Sequence, residues 1–199
     1  MIGFKRMNIP NRLTTLRMLC VVLLLIVAFF PYDALSMDVP TWTLFGKPFS
    51  LIRLILLILF AFGSFTDFLD GYLARKHNLV TTFGKFMDPI ADKLLVNLSF
   101  LVLASWGEFS MIVPIIFVAR DTIVDAIRLI AVQRQIVIAA SPLGKAKTVT
   151  QMVALVLLLL HIPYAVILIY LAALVSLLSG ADYFWKNRHI VLEGAFQDE

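Results

Sequence analysis

The sequence predicts an all-α integral membrane protein of six transmembrane helices, and three observations carry that prediction. Hydrophobic residues make up 61% of the 199 positions and charged residues only 15%. The mean hydropathy of +0.93 lies far beyond the balance of a water-soluble domain. The apolar residues gather into stretches close to the length of about 20 that a helix needs to cross a bilayer. The basic residues fall almost wholly on alternate connections, following the preference of Lys and Arg for the cytoplasmic side.

Taken in order, the spans run Leu13 to Phe30, Leu51 to Arg75, Asp88 to Ser105, Met111 to Val132, Thr148 to Leu160 and Tyr164 to Trp185. The fifth is short, and His161-Ile162-Pro163 reads as a tight turn into the sixth because Pro ends helices. With the N-terminus inside, the outward connections are Pro31 to Ser50, Trp106 to Ser110 and the His161 turn, and Lys47 is their only Lys or Arg. The other side collects Lys5, Arg6, Arg12, Arg75, Lys76, Lys85, Arg134, Lys145, Lys147, Lys186 and Arg188. The net charge of +4 therefore reflects orientation in a membrane, and no nucleic-acid partner is expected. Both termini are expected in the cytoplasm.

The segment MIGFKRMNI lacks the apolar region of a cleavable signal and is expected to be retained, with room for a short N-terminal interfacial helix. Trp42, Trp106 and Trp185 fall near span boundaries, where aromatic rings anchor helices. His77, His161 and His189 are too scattered across the two sides for one metal site. The lone Cys20 lies inside the first span, so neither a disulfide framework nor a cysteine metal site is expected. Without repeats or long linkers, residues 1–199 are read as one domain.

Against this background the acids of SFTDFLDGYLARKHNLVTTFGKFMDPIADK, from Ser64 to Lys93, are out of place. A carboxylate at the bilayer centre costs about 2.5 to 3.5 kcal/mol on insertion scales. Helical spacing puts Asp67, Asp70, Gly71 and Ala74 on one stripe with Arg75 at its edge, and Asp88 with Asp92 on another. The short connection makes the two helices antiparallel neighbours, so all four acids are expected in one cavity just inside the cytoplasmic boundary. Clustered carboxylates need compensating cations. An oxygen-only set favours Mg²⁺ or Mn²⁺, and two such ions suit phosphoryl chemistry. Gly71, Ala74 and Gly84 leave space for a phosphate ligand, and Arg75 suits its bidentate capture. Interface placement or simple ion pairing explains any one of these acids but not all four together. A cation transporter is the rival from another class, although no second layer of acids continues across the bilayer.

The pattern Asp67, two residues, Asp70-Gly71, two residues, Ala74-Arg75, eight residues, Gly84, three residues, Asp88, three residues, Asp92 resembles the full signature of the CDP-alcohol phosphotransferase family. The segment IPNRLTTLR, with Pro10, Asn11, Thr14 and Arg17, resembles that family's N-terminal pattern. The resemblance implies a dimeric six-helix membrane enzyme that transfers a substituted phosphoryl group from a CDP-linked donor to an alcohol and releases CMP. It also implies Asp67, Asp70, Asp88 and Asp92 as metal ligands, Asp92 as general base, and Asn11, Thr14, Gly71, Ala74, Arg75 and Gly84 as CDP contacts.

The acceptor is read from ARDTIVDAIRLIAVQRQIVIAASPLGKAKT, Ala119 to Thr148. Its cations Arg120, Arg128, Lys145 and Lys147 suit a phosphorylated alcohol. Two plainer readings compete: Arg128 has Asp121 and Asp125 within reach on its own helix, and Lys145 and Lys147 would also meet anionic headgroups. Asp121 and Asp125 read as structural. The segment resembles the glycerol-phosphate branch of the family. That likeness implies CDP-diacylglycerol and sn-glycerol 3-phosphate as substrates, with Ser141 joining the four cations at the acceptor phosphate; serine and inositol phosphate are the alternative acceptors. A bacterial cell membrane is the expected location, with membrane lipids and a second copy of the chain as partners.

Overall fold

The computed structural model describes residues 8–76, 81–136, 138–139 and 141–195. The expected interfacial segment through Met7 and the position of His77 lie outside the described residues, as do the side chains of Ala74 and Arg75. The elements are α1 (Ile9–Phe29), β1 (Thr41–Leu44), β2 (Lys47–Ser50), α2 (Leu51–Lys76), α3 (Thr82–Ser105), α4 (Ile112–Gln133), α5 (Pro142–Leu159) and α6 (Ala165–Ala195). The chain is thus nearly all-α, with one helix for each expected span.

Four helices hold stretches long and apolar enough to cross a membrane: Pro10–Phe29, Leu51–Leu73, Pro142–Leu159 and Ala165–Leu192. α3 and α4, at 24 and 22 residues, have the length, since a helix rises about 1.5 Å per residue. Their composition is less apolar because α3 carries Asp88, Asp92 and Lys93, and α4 carries Arg120, Asp121, Asp125 and Arg128. Three starts fall earlier than expected, α1 among them at Ile9 and not Leu13. α3 begins at Thr82 and not Asp88, so its two acids lie one and more turns inside the helix; α5 begins at Pro142 and not Thr148. Pro is well suited to a first helical position, where its missing N–H has no intrahelical role.

The connection expected as a plain outer loop contains a hairpin. β1 and β2 pair antiparallel in the register Thr41↔Ser50, Trp42↔Phe49, Thr43↔Pro48 and Leu44↔Lys47. Phe45 and Gly46 form the two-residue turn with φ of 50° and 75°, the doubly left-handed geometry that matches strand twist. Pro48 is tolerated because both strands are edges. Four-residue strands leave too little alternation to be read from sequence.

Packing divides the chain into two compact units, Met1–Leu103 with Val156–Pro163, and Ala104–Leu155 with Tyr164–Glu199. In the first, α1 packs on α2, and α2 meets β2. α2 meets α3 at Gly63, where an added Cβ would stand 2.6 Å from Leu95 Cδ2. In the second, α4 packs on α6, and Val124 and Ile127 cluster with Tyr183. α1 shows the helix chemistry of a lipid environment. Thr14, Arg17, Val21 and Leu24 are buried, whereas Leu19, Val22, Leu23 and Ile26 are exposed. A helix that turns hydrocarbon outward and polar groups inward belongs in lipid.

α5 closes as expected at His161, which adopts φ 56°. The Ile162 N–H donates to Leu157 O and the His161 N–H to Leu158 O, both at 2.9 Å, the paired bonds of a helix end with a left-handed residue. The imidazole is buried edge-on against Phe49, near buried Arg53, which donates to Leu158 O at 3.1 Å. Burial first, then the charges of Arg53 and Lys47, push the His161 pKa below its ordinary 6.5. An unfolded chain therefore takes up this proton before the folded one does. The stability tied to neutral His161 is complete above pH 6.5 and is lost as the pH falls through that value toward the lower folded pKa. Thermal melting in detergent should show this decline in the parent chain and a shallower one in His161→Gln; identical pH profiles would exclude His161 as its source.

Candidate active site

The site in the first unit is assembled from one end of α1 outward. Asn8 caps α1, its side chain accepting the Asn11 N–H at 3.2 Å. One face of the helix then presents Asn11, Thr14 and Arg17. Thr81 caps α3 by accepting the Gly84 N–H at 3.0 Å, and its hydroxyl donates to Asn11 Oδ1 at 2.8 Å. The Thr14 hydroxyl donates to Asp88 Oδ1 and lies 3.1 Å from the Pro10 carbonyl. A Cβ added to Gly84 would sit 3.3 Å from Asp88 Oδ2, 3.4 Å from Thr81 Oγ1 and 3.5 Å from Asn11 Oδ1. The missing side chain at Gly84 thus lets these three polar groups gather.

Arg17 supplies the main cation. Its side chain is fully buried, yet it reaches three acceptors on α2. Nη1 lies 2.8 Å from Asp67 Oδ1 as an ion pair without hydrogen-bond geometry, Nη2 donates to Asp70 Oδ2 at 2.5 Å, and Nε donates to Gly63 O at 3.3 Å. The Asp67 side chain is 42% exposed and that of Asp70 3%, so the pair runs from the surface to the interior. Asp70 also feels the charges of Asp67 and Asp88. Three of the four expected acids therefore share one electrostatic site. Asp92, half-buried, follows one turn beyond Asp88, and Pro89 removes a backbone donor between them. Gly71 continues the Asp67–Asp70 stripe.

Among the described residues, no three His, Cys, Asp or Glu side chains converge tightly enough to hold a single ion. Asp67 and Asp70 are instead engaged by Arg17, and Asp88 by Thr14. The donor chemistry fits a hard divalent ion nonetheless: every group is an oxygen, and Arg17 brings one positive charge to two carboxylates. Arg17 had no role in the sequence reading beyond its place in a pattern. The signal was present, since a lone Arg amid apolar residues needs a buried acid.

The second unit holds the other cations. Arg120 donates from Nη1 to Asp121 Oδ1 at 3.1 Å and from Nη2 to Ser179 Oγ at 2.6 Å; its buried Nε has no hydrogen-bond partner among the described residues. Ser141 caps α5, accepting the Gly144 N–H at 3.0 Å. A Cβ on Gly144 would lie 3.2 Å from Ser141 Oγ and 3.6 Å from Arg120 Nη2, so the guanidinium faces the first turn of α5. Gly180 admits Arg120, because a Cβ there would fall 2.9 Å from Arg120 Cγ. Ser179 was not foreseen; its only cue was the Ser-Gly pair inside an apolar helix.

The remaining expected acceptor residues are placed differently. Lys147 is buried, its Nζ 2.7 and 2.8 Å from the two oxygens of Asp121. The Arg128 Nε donates to the Tyr183 hydroxyl at 3.2 Å. Lys145 is exposed in the first turn of α5. The structure thus converges Arg120 and Ser141 with Ser179, while Asp121, read as structural, anchors Lys147 behind them.

A membrane protein with an oxygen-rich carboxylate site on its apolar helices is the class this fold and site define. The chain belongs to the CDP-alcohol phosphatidyltransferase family, whose model matches residues 7–178, from the start of α1 into α6. It is 36% identical over 188 residues to the CDP-diacylglycerol–glycerol-3-phosphate 3-phosphatidyltransferase of Bacillus subtilis (strain 168), covering 90% of this chain and 95% of that one. Similarity to the enzyme of the same name from Rickettsia bellii (strain RML369-C) is 34% over 186 residues, covering 89% and 93%. For that of Wigglesworthia glossinidia brevipalpis it is 31% over 189 residues, covering 90% and 94%.

The Asp121–Lys147 pair makes a direct prediction. Removing one partner of a buried ion pair typically costs about 3 to 5 kcal/mol. Asp121→Asn should lower the melting temperature strongly, since Lys147 and Arg120 both lose their carboxylate. Lys147→Met should cost less, because Arg120 still neutralises Asp121; equal losses would contradict this division.

Proposed function

We propose that this protein is an integral membrane enzyme that transfers the phosphatidyl group of CDP-diacylglycerol to sn-glycerol 3-phosphate, giving phosphatidylglycerophosphate and CMP. The observation that carries the choice of a phosphorylated acceptor is Arg120 facing the first turn of α5 beside Ser141 and Ser179. A helix N-terminus carries partial positive charge, and a phosphate lying between it and the Arg120 guanidinium would be held by both. The full signature from Asp67 to Asp92 and the long similarity to enzymes of that name support the same reading.

In this reading Asp67, Asp70, Asp88 and Asp92 hold two divalent ions, Mg²⁺ or Mn²⁺. When bound, these would neutralise the donor diphosphate and the charge that develops on departing CMP. Asn11, Thr14, Gly71, Ala74, Arg75 and Gly84 receive the cytidine diphosphate. Asp92 takes the proton of the acceptor hydroxyl, whose oxygen attacks the phosphorus nearer the lipid as the bond to CMP breaks. Arg120 and Ser141 bind the acceptor phosphate, with Lys145 adding charge at the exposed edge and Lys147 and Arg128 contributing positive field from behind. The enzyme works as a homodimer in a bacterial cell membrane, with its active site facing the cytoplasm.

CMP release by the purified chain, given CDP-diacylglycerol and Mg²⁺, tests the reaction with glycerol 3-phosphate, serine, inositol and inositol phosphate offered separately. Release is expected with glycerol 3-phosphate alone; release with another alcohol would remove the acceptor assignment, and none with any would remove the reaction. Asp92→Asn should abolish turnover while sparing much of the donor binding, and full activity in that variant would remove Asp92 from the role. Gly180→Ala, which displaces Arg120, should raise the KM for the acceptor about tenfold or more while leaving the donor KM near its parent value, the pattern of a lost phosphate contact.

A further inference from the structure

Among the described residues of the first unit, Arg17 is the fully buried cation that spans two signature carboxylates. Its guanidinium takes one oxygen from each of Asp67 and Asp70, at 2.8 and 2.5 Å, and its Nε is tied to the Gly63 carbonyl. That carbonyl also accepts the Thr66 hydroxyl at 2.7 Å, so the anchor of the fork is itself held. Nη2 carries the hydrogen bond to Asp70, whereas Nη1 meets Asp67 as a close charge contact without hydrogen-bond geometry, so the Asp67 arm is the weaker of the two.

We propose that Arg17 is a resident counter-ion of the Asp67–Asp70 pair, against which a divalent cation must compete for the same carboxylates. This rests on the metal centre proposed above, and it assigns to Arg17 a positioning and affinity-setting role, not contact with the reacting atoms. The physical case has two parts. Two carboxylates on an apolar helix repel each other and lose hydration, so a chain without its metal needs a cation between them. A positive charge in direct contact with both then opposes a second cation at the same oxygens, since attraction and repulsion alike are strengthened away from water. The exposed Asp67 and buried Asp70 give the competition a direction: an arriving ion meets Asp67 first and loosens the outer arm of the fork, while Asp70 retains the inner one. The protein so equipped keeps its helices in register when metal is scarce and binds the ion less tightly than its carboxylates alone would.

The test measures Mn²⁺ binding to the full chain in detergent, without substrates, from the loss of the free-ion electron paramagnetic resonance signal, alongside thermal melting. Arg17→Met should tighten Mn²⁺ binding tenfold or more, lower the melting temperature in chelator, and enlarge the rise in melting temperature that Mn²⁺ produces. A folded Arg17→Met chain that binds Mn²⁺ no more tightly than the parent overturns the proposal. Recovery of folded Arg17→Met only when Mn²⁺ is present throughout purification would support it. Should that variant fail in both conditions, Arg17→Lys decides. Its ammonium keeps the charge but lacks the fork, so affinity should rise a few-fold, and affinity equal to or below the parent's overturns the role. Asp88→Asn separates this claim from the one beneath it, since Asp88 is held by Thr14 and not by Arg17. If that change leaves parental Mn²⁺ binding intact, the metal centre itself is misassigned; if it weakens binding while Arg17→Met binds no tighter, only the competitor role falls.

Discussion

A guanidinium inside an apolar helix persists only where carboxylates come to meet it, and the first unit is organised around that requirement. Packing between apolar helices in lipid has little directional preference, because a leucine beside a lipid tail is nearly as content as one beside another leucine. Polar contacts supply the missing register. Arg17 fixes the rotation of α1 against α2 through Asp67, Asp70 and Gly63. One turn earlier, Thr14 fixes α1 against α3 through Asp88, and Asn11 meets the cap of α3 at Thr81. The bonds that align three helices are therefore the bonds that gather the signature carboxylates, and a change in either disturbs both.

The second unit uses the same economy of polar contacts with a different outcome. Asp121 joins α4 to α5 through Lys147, and Arg120 joins α4 to α6 through Ser179. The first tie closes a charge pair on itself. The second leaves a guanidinium beside a helix N-terminus, with Gly180 and Gly144 clearing the space around it. Lys147 directs its ammonium to the two oxygens of one carboxylate, whereas Arg120 divides its guanidinium between a carboxylate and a neutral hydroxyl. That distinction separates Lys147 from Arg120 although sequence alone grouped them.

The legible part of this protein was what repeats along one chain segment. Six helices followed from apolar length, and the stripes Asp67–Asp70–Gly71 and Asp88–Asp92 from the spacing of a single helix. What escaped were relations between segments. Arg17 and Asp70 are 53 residues apart, and no periodicity within α1 points to its partner, because nearly every neighbour of Arg17 is apolar. Ser179 and Arg120 are 59 apart and were missed for the same reason. The hairpin was hidden otherwise: its strands are short, and its turn depends on Phe45 taking a left-handed φ that its residue type does not advertise. α5 was placed too late because Pro142, Gly144, Lys145 and Lys147 all argue against an apolar span, although Ser141 caps and Pro142 opens it.

All eight signature positions lie within Met1–Leu103, and every residue assigned to the acceptor phosphate lies within Ala104–Leu155. The residues proposed for the chemistry and those proposed for the acceptor phosphate thus belong to different packing units. This division has a physical consequence for how specificity can change. Altering the first unit means altering groups that also set helix register, so most substitutions there cost stability as well as activity. Around Arg120 the framework is carried by Asp121 and Lys147, which leaves Ser141, Ser179 and the two glycines as the positions where a different acceptor could be accommodated without dismantling the fold. Lys145, exposed beside them in the first turn of α5, is the least constrained of all, and its replacement leaves the Asp121–Lys147 framework untouched.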